Sequence, residues 1–191
     1  MNWTLSNFLT LIRVAVIPLL IGLFYIKGDF VHLLMAVLFV FACITDFFDG
    51  YFARTWEQTT SFGRFLDPVA DKLLITSVLF MLVGFGRIEG ISLIPGVIIL
   101  CREILVSGLR EFLASLRIGL PVSYLAKWKT GIQMGALTCL LLGDSIYFSF
   151  LHLPINLIGL ILLWCAGGLT LITGYTYLKE SLQYFKDNPF S

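Results

Sequence analysis

Apolar runs close to membrane-crossing length recur from one end of this 191-residue chain to the other, and that recurrence limits the fold more than any other feature. A helix needs about 20 residues to cross a hydrocarbon core of roughly 30 Å. Six segments approach that length, near Leu5–Ile26, Phe30–Gly50, Leu73–Gly86, Ile91–Leu109, Gly131–Leu151 and Pro154–Leu178. The third is short as it stands and is expected to begin earlier, near Pro68, in more polar surroundings. With 58% hydrophobic and 13% charged residues, the composition excludes an ordinary soluble domain. No polar region between the runs is long enough for a second core. The reading is a single membrane-embedded domain over residues 1–191, all-α, with six transmembrane helices.

The net charge of +1 decides little, because the charges are segregated. Arg54, Arg64, Lys72, Arg117, Lys127, Lys129, Lys179 and Lys186 fall in one set of connections, against Lys27 and Arg87 in the other. By the positive-inside rule both termini are expected on the cytoplasmic side. Cys43, Cys101, Cys139 and Cys165 stand alone in apolar segments without metal-ligand or disulfide spacing, and read as packing residues. Only Met1 to Asn7 precede the first run, with no basic stretch or small-residue cleavage pattern, so no removed leader is expected.

The second run ends in Thr45-Asp46-Phe47-Phe48-Asp49-Gly50. From an entry at Phe30, Asp46 lies roughly 24 Å along the helix and reaches its cytoplasmic edge. Asp46 and Asp49 are three apart and share a face. The third helix returns from the same side through Asp67-Pro68-Val69-Ala70-Asp71. Asp67 before a proline suits an N-cap, with Pro68 as the first helical residue. Asp71, four residues on, lies one turn deeper on nearly the same face. Two antiparallel neighbours thus bring four carboxylates to one interface.

Four carboxylates packed together repel one another unless something cationic lies among them. All-oxygen donors suit a hard divalent ion, Mg²⁺ or Mn²⁺, above all one that also binds substrate phosphates. Charge at membrane depth reads as functional by default. The plainer alternative is a set of interfacial acids paired with Arg54, Arg64 and Lys72. Gly50, Ala53 and Gly63 leave room for a phosphate or flat base beside the backbone, and Arg54 suits a diphosphate.

Taken together, Asp46-x2-Asp49-Gly50-x2-Ala53-Arg54-x8-Gly63-x3-Asp67-x3-Asp71 resembles the complete signature of the CDP-alcohol phosphotransferase family. The resemblance implies a reaction in which two divalent cations, held by the Asp cluster, grip a CDP-linked substrate by its diphosphate. An alcohol hydroxyl attacks the β-phosphorus and CMP leaves. It also implies that Asp46, Asp49 and Asp67 are metal ligands, with Asp71 both ligand and general base. Gly50, Arg54 and Thr60 match positions associated with the CDP moiety. The opening stretch Asn7-Phe8-Leu9-Thr10-Leu11-Ile12-Arg13 resembles the family's own. There Asn7 and Thr10 either hydrogen-bond the nucleotide or cap the helix.

The second substrate is read from the fourth helix and beyond. Glu103, Ser107, Arg110, Ala114 and Arg117 fall at heptad-like spacing, one small or polar stripe on an apolar helix. Arg102 lies inside the apolar span, where an arginine needs a partner or a watery cavity. The following loop adds Lys127-Trp128-Lys129-Thr130. A dianionic acceptor such as glycerol 3-phosphate needs such cations; a neutral alcohol does not. Alternatively Glu103 pairs with Arg110, Arg102 is structural, and the lysines serve topology. Arg102-Glu103-Ile104, Ser107-Gly108-Leu109-Arg110-Glu111-Phe112, Val122-Ser123, Lys127-x-Lys129-Thr130 and Gln133 resemble the bacterial branch of the family that uses glycerol 3-phosphate. That resemblance implies acceptor-phosphate contacts from Arg110 and Lys127, with Lys129 and Arg102 behind them.

The last two runs offer little chemistry. Gly159, Gly167, Gly168 and Gly174 permit close helix approach, within the chain or across a dimer; the family resemblance implies a homodimer. His152 falls in a turn away from the acids. Expected partners are CDP-diacylglycerol, glycerol 3-phosphate and the lipid bilayer of a bacterial inner membrane, with no nucleic acid. Two other readings stand beside this one. The same chemistry could serve serine, an inositol phosphate or phosphatidylglycerol, or the acids could line a cation transporter. A transporter predicts acids spread through the depth of several helices.

Overall fold

The structure, a computed structural model, describes residues 5–55, 61–115, 124–143 and 154–187. Among them are six α-helices and no strand: α1 (Leu5–Phe24), α2 (Asp29–Thr55), α3 (Ser61–Gly84), α4 (Leu93–Ser115), α5 (Tyr124–Leu142) and α6 (Ile155–Asp187). A single 3₁₀ turn, Gly90–Ser92, leads into α4. Among the described residues three stretches are long and apolar enough to cross a membrane, Asp29–Asp46, Gly90–Leu113 and Ile155–Lys179, with a shorter apolar stretch at Phe8–Phe24.

Successive helices run up and down. α1 packs on α2 and α3, α2 on α5, and α6 on α4 and α5. The start of α1, the end of α2, the start of α3, the end of α4, the start of α5 and the later part of α6 therefore meet at one end. Thr10–Asp67, Arg13–Asp46, Lys72–Ser107, Lys129–Glu103 and Arg110–Tyr177 contacts tie that end together. Between the ends lies an apolar core that includes Leu20, Met35, Phe39, Leu74, Leu82, Leu137 and Leu140. Phe80, Ile91, Ile104 and Leu171 point outward instead. Exposed apolar side chains in such number suit lipid and would be an aggregation hazard in water.

Where lipid is the solvent, helices associate through close packing, and small residues set the approach. A Cβ added at Gly159 would lie 2.8 Å from Leu140 Cγ, and one at Gly167 2.8 Å from Pro95 Cβ. Those two glycines seat α6 against α5 and α4. Nothing lies within 4 Å of a Cβ at Gly168, so that position is open.

Several boundaries differ from the sequence expectation. α3 starts at Ser61, so Asp67 is no N-cap and Pro68 lies inside the helix. Proline's fixed φ suits a helix, and the change loses one backbone hydrogen bond near an end where polar groups and water can compensate. α2 continues to Thr55, past Gly50, because a glycine weakens a helix by only about 1 kcal/mol relative to alanine. α5 starts at Tyr124, which makes Lys127–Thr130 helical rather than loop, and it ends at Leu142 rather than Leu151. Gly143 stops it with φ 56°, its N–H bonded to the Cys139 carbonyl at 3.0 Å. A left-handed glycine closes a helix whatever the hydropathy of the residues beyond it. His152 lies outside the described residues.

Candidate active site

Asp46 comes from α2, and Asp67 and Asp71 from α3. Asp46 and Asp71 face the same group, Arg13 of α1. Its Nη1 is 3.0 Å from Asp46 Oδ1 and 3.6 Å from Asp71 Oδ1, and its side chain is fully buried while each carboxylate remains about 40% exposed. Asp67 is held from α1 as well: the Thr10 hydroxyl donates to its Oδ1 at 2.5 Å. Thr10 is therefore a tether for an acid within α1, and both it and Asn7 lie inside that helix rather than at its cap. Sequence reasoning missed Arg13. The signal was available, since an arginine in the middle of an apolar run demands a partner, the argument applied to Arg102.

Beside these acids opens a cavity of about 230 Å³. Asp46, Asp71 and Lys72 line it from α2 and α3, and Arg102, Glu103, Ser107 and Arg110 from α4. Thr130 and Gln133 of α5 close it. The predicted polar stripe of α4 thus does face one chamber, as far as Arg110. Lys72 reaches across to the Ser107 hydroxyl, fixing α3 to α4 at the cavity wall.

The alternative in which Glu103 pairs with Arg110 is not what the structure holds; Glu103 has other partners. Glu103 accepts from Lys129, and Arg102 Nη1 lies 3.4 Å from the same Oε1. Starting α5 at Tyr124 explains this, because a helical Lys129 turns inward and becomes buried. Lys129 serves as the partner of Glu103, one layer behind the cavity. Lys127 is exposed and does not line the chamber. Arg110 instead donates from Nη2 to the Tyr177 hydroxyl of α6 at 3.3 Å, a contact between distant helices that periodicity does not reveal.

Thr60 and Arg117 lie outside the described residues, as do the side chains of Asn7, Asp49, Arg54 and Ala114; Gly50 is placed only as part of α2. Among the described residues no group of three or more His, Cys, Asp or Glu side chains is close enough to hold a metal ion. The chemistry of the donors nevertheless fits a hard cation. Asp46 and Asp71 are oxygen donors, partly open to a polar cavity, and a positive group already stands between them.

Residues 3–172 match the family model described as CDP-alcohol phosphatidyltransferase. A relative from Rickettsia bellii (strain RML369-C), named CDP-diacylglycerol–glycerol-3-phosphate 3-phosphatidyltransferase, is 51% identical over 181 residues, covering 95% of this chain and 97% of the relative. Relatives of the same name from Rickettsia typhi (strain ATCC VR-144 / Wilmington) and Haemophilus influenzae (strain ATCC 51907 / DSM 11121 / KW20 / Rd) are 49% and 38% identical, over 95% and 98% of this chain and 98% of each relative. The match runs through every helix that contributes to the acid-lined cavity, and the chain belongs to the CDP-alcohol phosphatidyltransferase family.

Proposed function

We propose that this chain transfers the phosphatidyl group of CDP-diacylglycerol to glycerol 3-phosphate, giving phosphatidylglycerophosphate and CMP. The observation that carries the reading is the shared chamber: Asp46 and Asp71 on one wall, Arg102 and Arg110 on the other. Carboxylates alone suit a cation, and arginines alone suit an anion. A site that joins a cation-bound diphosphate to a second, anionic substrate needs both within one reach. The names of the relatives support the same pair of substrates.

In this reading Asp46, Asp49, Asp67 and Asp71 would hold two divalent ions, Mg²⁺ or Mn²⁺, whose chemistry is to neutralise charge on the diphosphate oxygens. Thr10 fixes the orientation of Asp67 through its hydroxyl. Arg13 balances the charge of Asp46 and Asp71 from the buried side. Asn7, Gly50, Arg54 and Thr60 are assigned to the CDP portion, with Thr10 acting through Asp67 rather than on the nucleotide. Arg110 and Arg102 orient the acceptor phosphate, with Lys129 holding Glu103 from behind the cavity wall, so that the attacking hydroxyl faces the β-phosphorus. Asp71 takes the hydroxyl proton as the new P–O bond forms and CMP departs. The six helices are assigned as six membrane spans of a single domain, with both termini and the site on the cytoplasmic side of a bacterial inner membrane, and the protein is taken to work as a homodimer.

Offering the purified protein CDP-diacylglycerol and Mg²⁺ with each acceptor in turn tests this. CMP release is expected with glycerol 3-phosphate, and not with serine, inositol phosphate or phosphatidylglycerol. Release with one of those alone would replace the acceptor and keep the chemistry. Undiminished release in excess chelator would remove the metal assignment. A cation transporter would release no CMP with any of them.

A further inference from the structure

α6 reads in sequence as a generic span, yet it presents one ring to both arginines of the cavity. Tyr177 is 3% exposed. The guanidinium carbon of Arg102 lies 5.5 Å from the ring centroid and that of Arg110 5.2 Å, both within cation–π range. Arg110 also donates to the ring's hydroxyl at 3.3 Å. One turn earlier, a Cβ added at Gly174 would lie 3.1 Å from Arg102 Cγ, so the stem of Arg102 passes close over the α6 backbone. Two guanidinium groups in one chamber repel each other. A ring within cation–π reach of both offsets part of that repulsion and holds the two groups in place. A guanidinium has five N–H donors, so orienting it on a ring still leaves donors for an anion.

We propose that Tyr177 is a positioning residue for the acceptor site. With Gly174 it holds Arg102 and Arg110 as a pair set to receive a phosphomonoester dianion, and α6 thereby tunes acceptor recognition without touching substrate. The inference rests on the phosphatidyl-transfer reading above. It differs from a packing role in what it predicts for kinetics. A ring that merely fills space affects folded yield and turnover, whereas a ring that orients the acceptor cations acts on the acceptor KM.

CMP release by the purified protein, with CDP-diacylglycerol and Mg²⁺ and with glycerol 3-phosphate varied, separates the two. Tyr177→Leu is expected to raise the KM for glycerol 3-phosphate about tenfold or more, with kcat and the KM for CDP-diacylglycerol each within about threefold of wild type. Tyr177→Phe keeps the ring and should recover most of that loss. An unchanged acceptor KM in Tyr177→Leu, or an equal rise in both KM values, overturns the proposal. Should Tyr177→Leu fail to accumulate in the membrane, Gly174→Ala decides, because its methyl group crowds Arg102. A severalfold rise in acceptor KM supports the proposal, and none overturns it. A wild type that releases no CMP with glycerol 3-phosphate overturns the parent reading and this one together. A wild type that does so, while Tyr177→Leu keeps its acceptor KM, overturns this one alone.

Discussion

At one end of the bundle Arg13 stands between two carboxylates, 3.0 Å from Asp46 and 3.6 Å from Asp71. At the other, Arg87 gives its Nη1 to the carbonyls of Leu140 and Leu141, at 2.8 and 3.1 Å, and meets His32 Nε2 at 2.8 Å. The residue type is the same and the consequence is different. Carbonyls at the end of α5 are fixed partial charges that a guanidinium can satisfy permanently. Around them Phe24 and Tyr25 close on Phe85, each with ring centroids 5.3 Å from it. Carboxylates beside an open cavity carry full charges that Arg13 balances only from the buried side. One end is a clasp, and the other leaves room for ligands.

The distinction has measurable consequences. Asp71→Asn removes the proposed metal ligand and proton acceptor, and turnover should fall about 10³-fold, with little change in the melting midpoint. Arg110→Ala should raise the KM for glycerol 3-phosphate by roughly 10- to 100-fold, read from initial rates, with the CDP-diacylglycerol KM nearly constant. Arg87→Met is expected to do the reverse. Unfolding in denaturant should report a loss of about 1–3 kcal/mol, while turnover per folded molecule stays at the wild-type level. A tenfold loss of turnover from Arg87→Met would erase the division between clasp and site. The smallest effect is expected at Gly143, where φ is 56° and an added Cβ would collide with Arg87. Gly143→Ala should cost about 1–2 kcal/mol from the backbone alone, and less than additively with Arg87→Met.

The acids were legible because helical spacing alone puts Asp67 and Asp71 on one face, and because Asp46 closes the apolar stretch of α2, although the helix itself runs on to Thr55. The polar stripe of α4 was legible for the same reason, and its members Glu103, Ser107 and Arg110 do line one cavity, which Arg102 joins from outside the stripe. What periodicity cannot supply is the partner on a different helix. Arg13 meets Asp46 across 33 positions of sequence, and Arg110 meets Tyr177 across 67. Hydropathy also misplaced backbone ends. It carried α5 past Gly143, where a left-handed glycine ends it, and it started α3 too late, because the polar residues from Ser61 to Asp67 are helical without being apolar. The proline rule favoured Pro68 at the first turn, and the longer helix overrode it.

The Arg13–Asp46 contact joins the first helix to the second. On the six-span reading, each of these helices by itself would carry a net charge toward the lipid phase, a step that costs about 2.5–3.5 kcal/mol per charged residue at the bilayer centre and less toward the interface where this pair lies. Together they present a neutral pair. Partitioning from the translocation machinery as a hairpin, rather than helix by helix, would let the growing chain cancel that charge before lipid surrounds it.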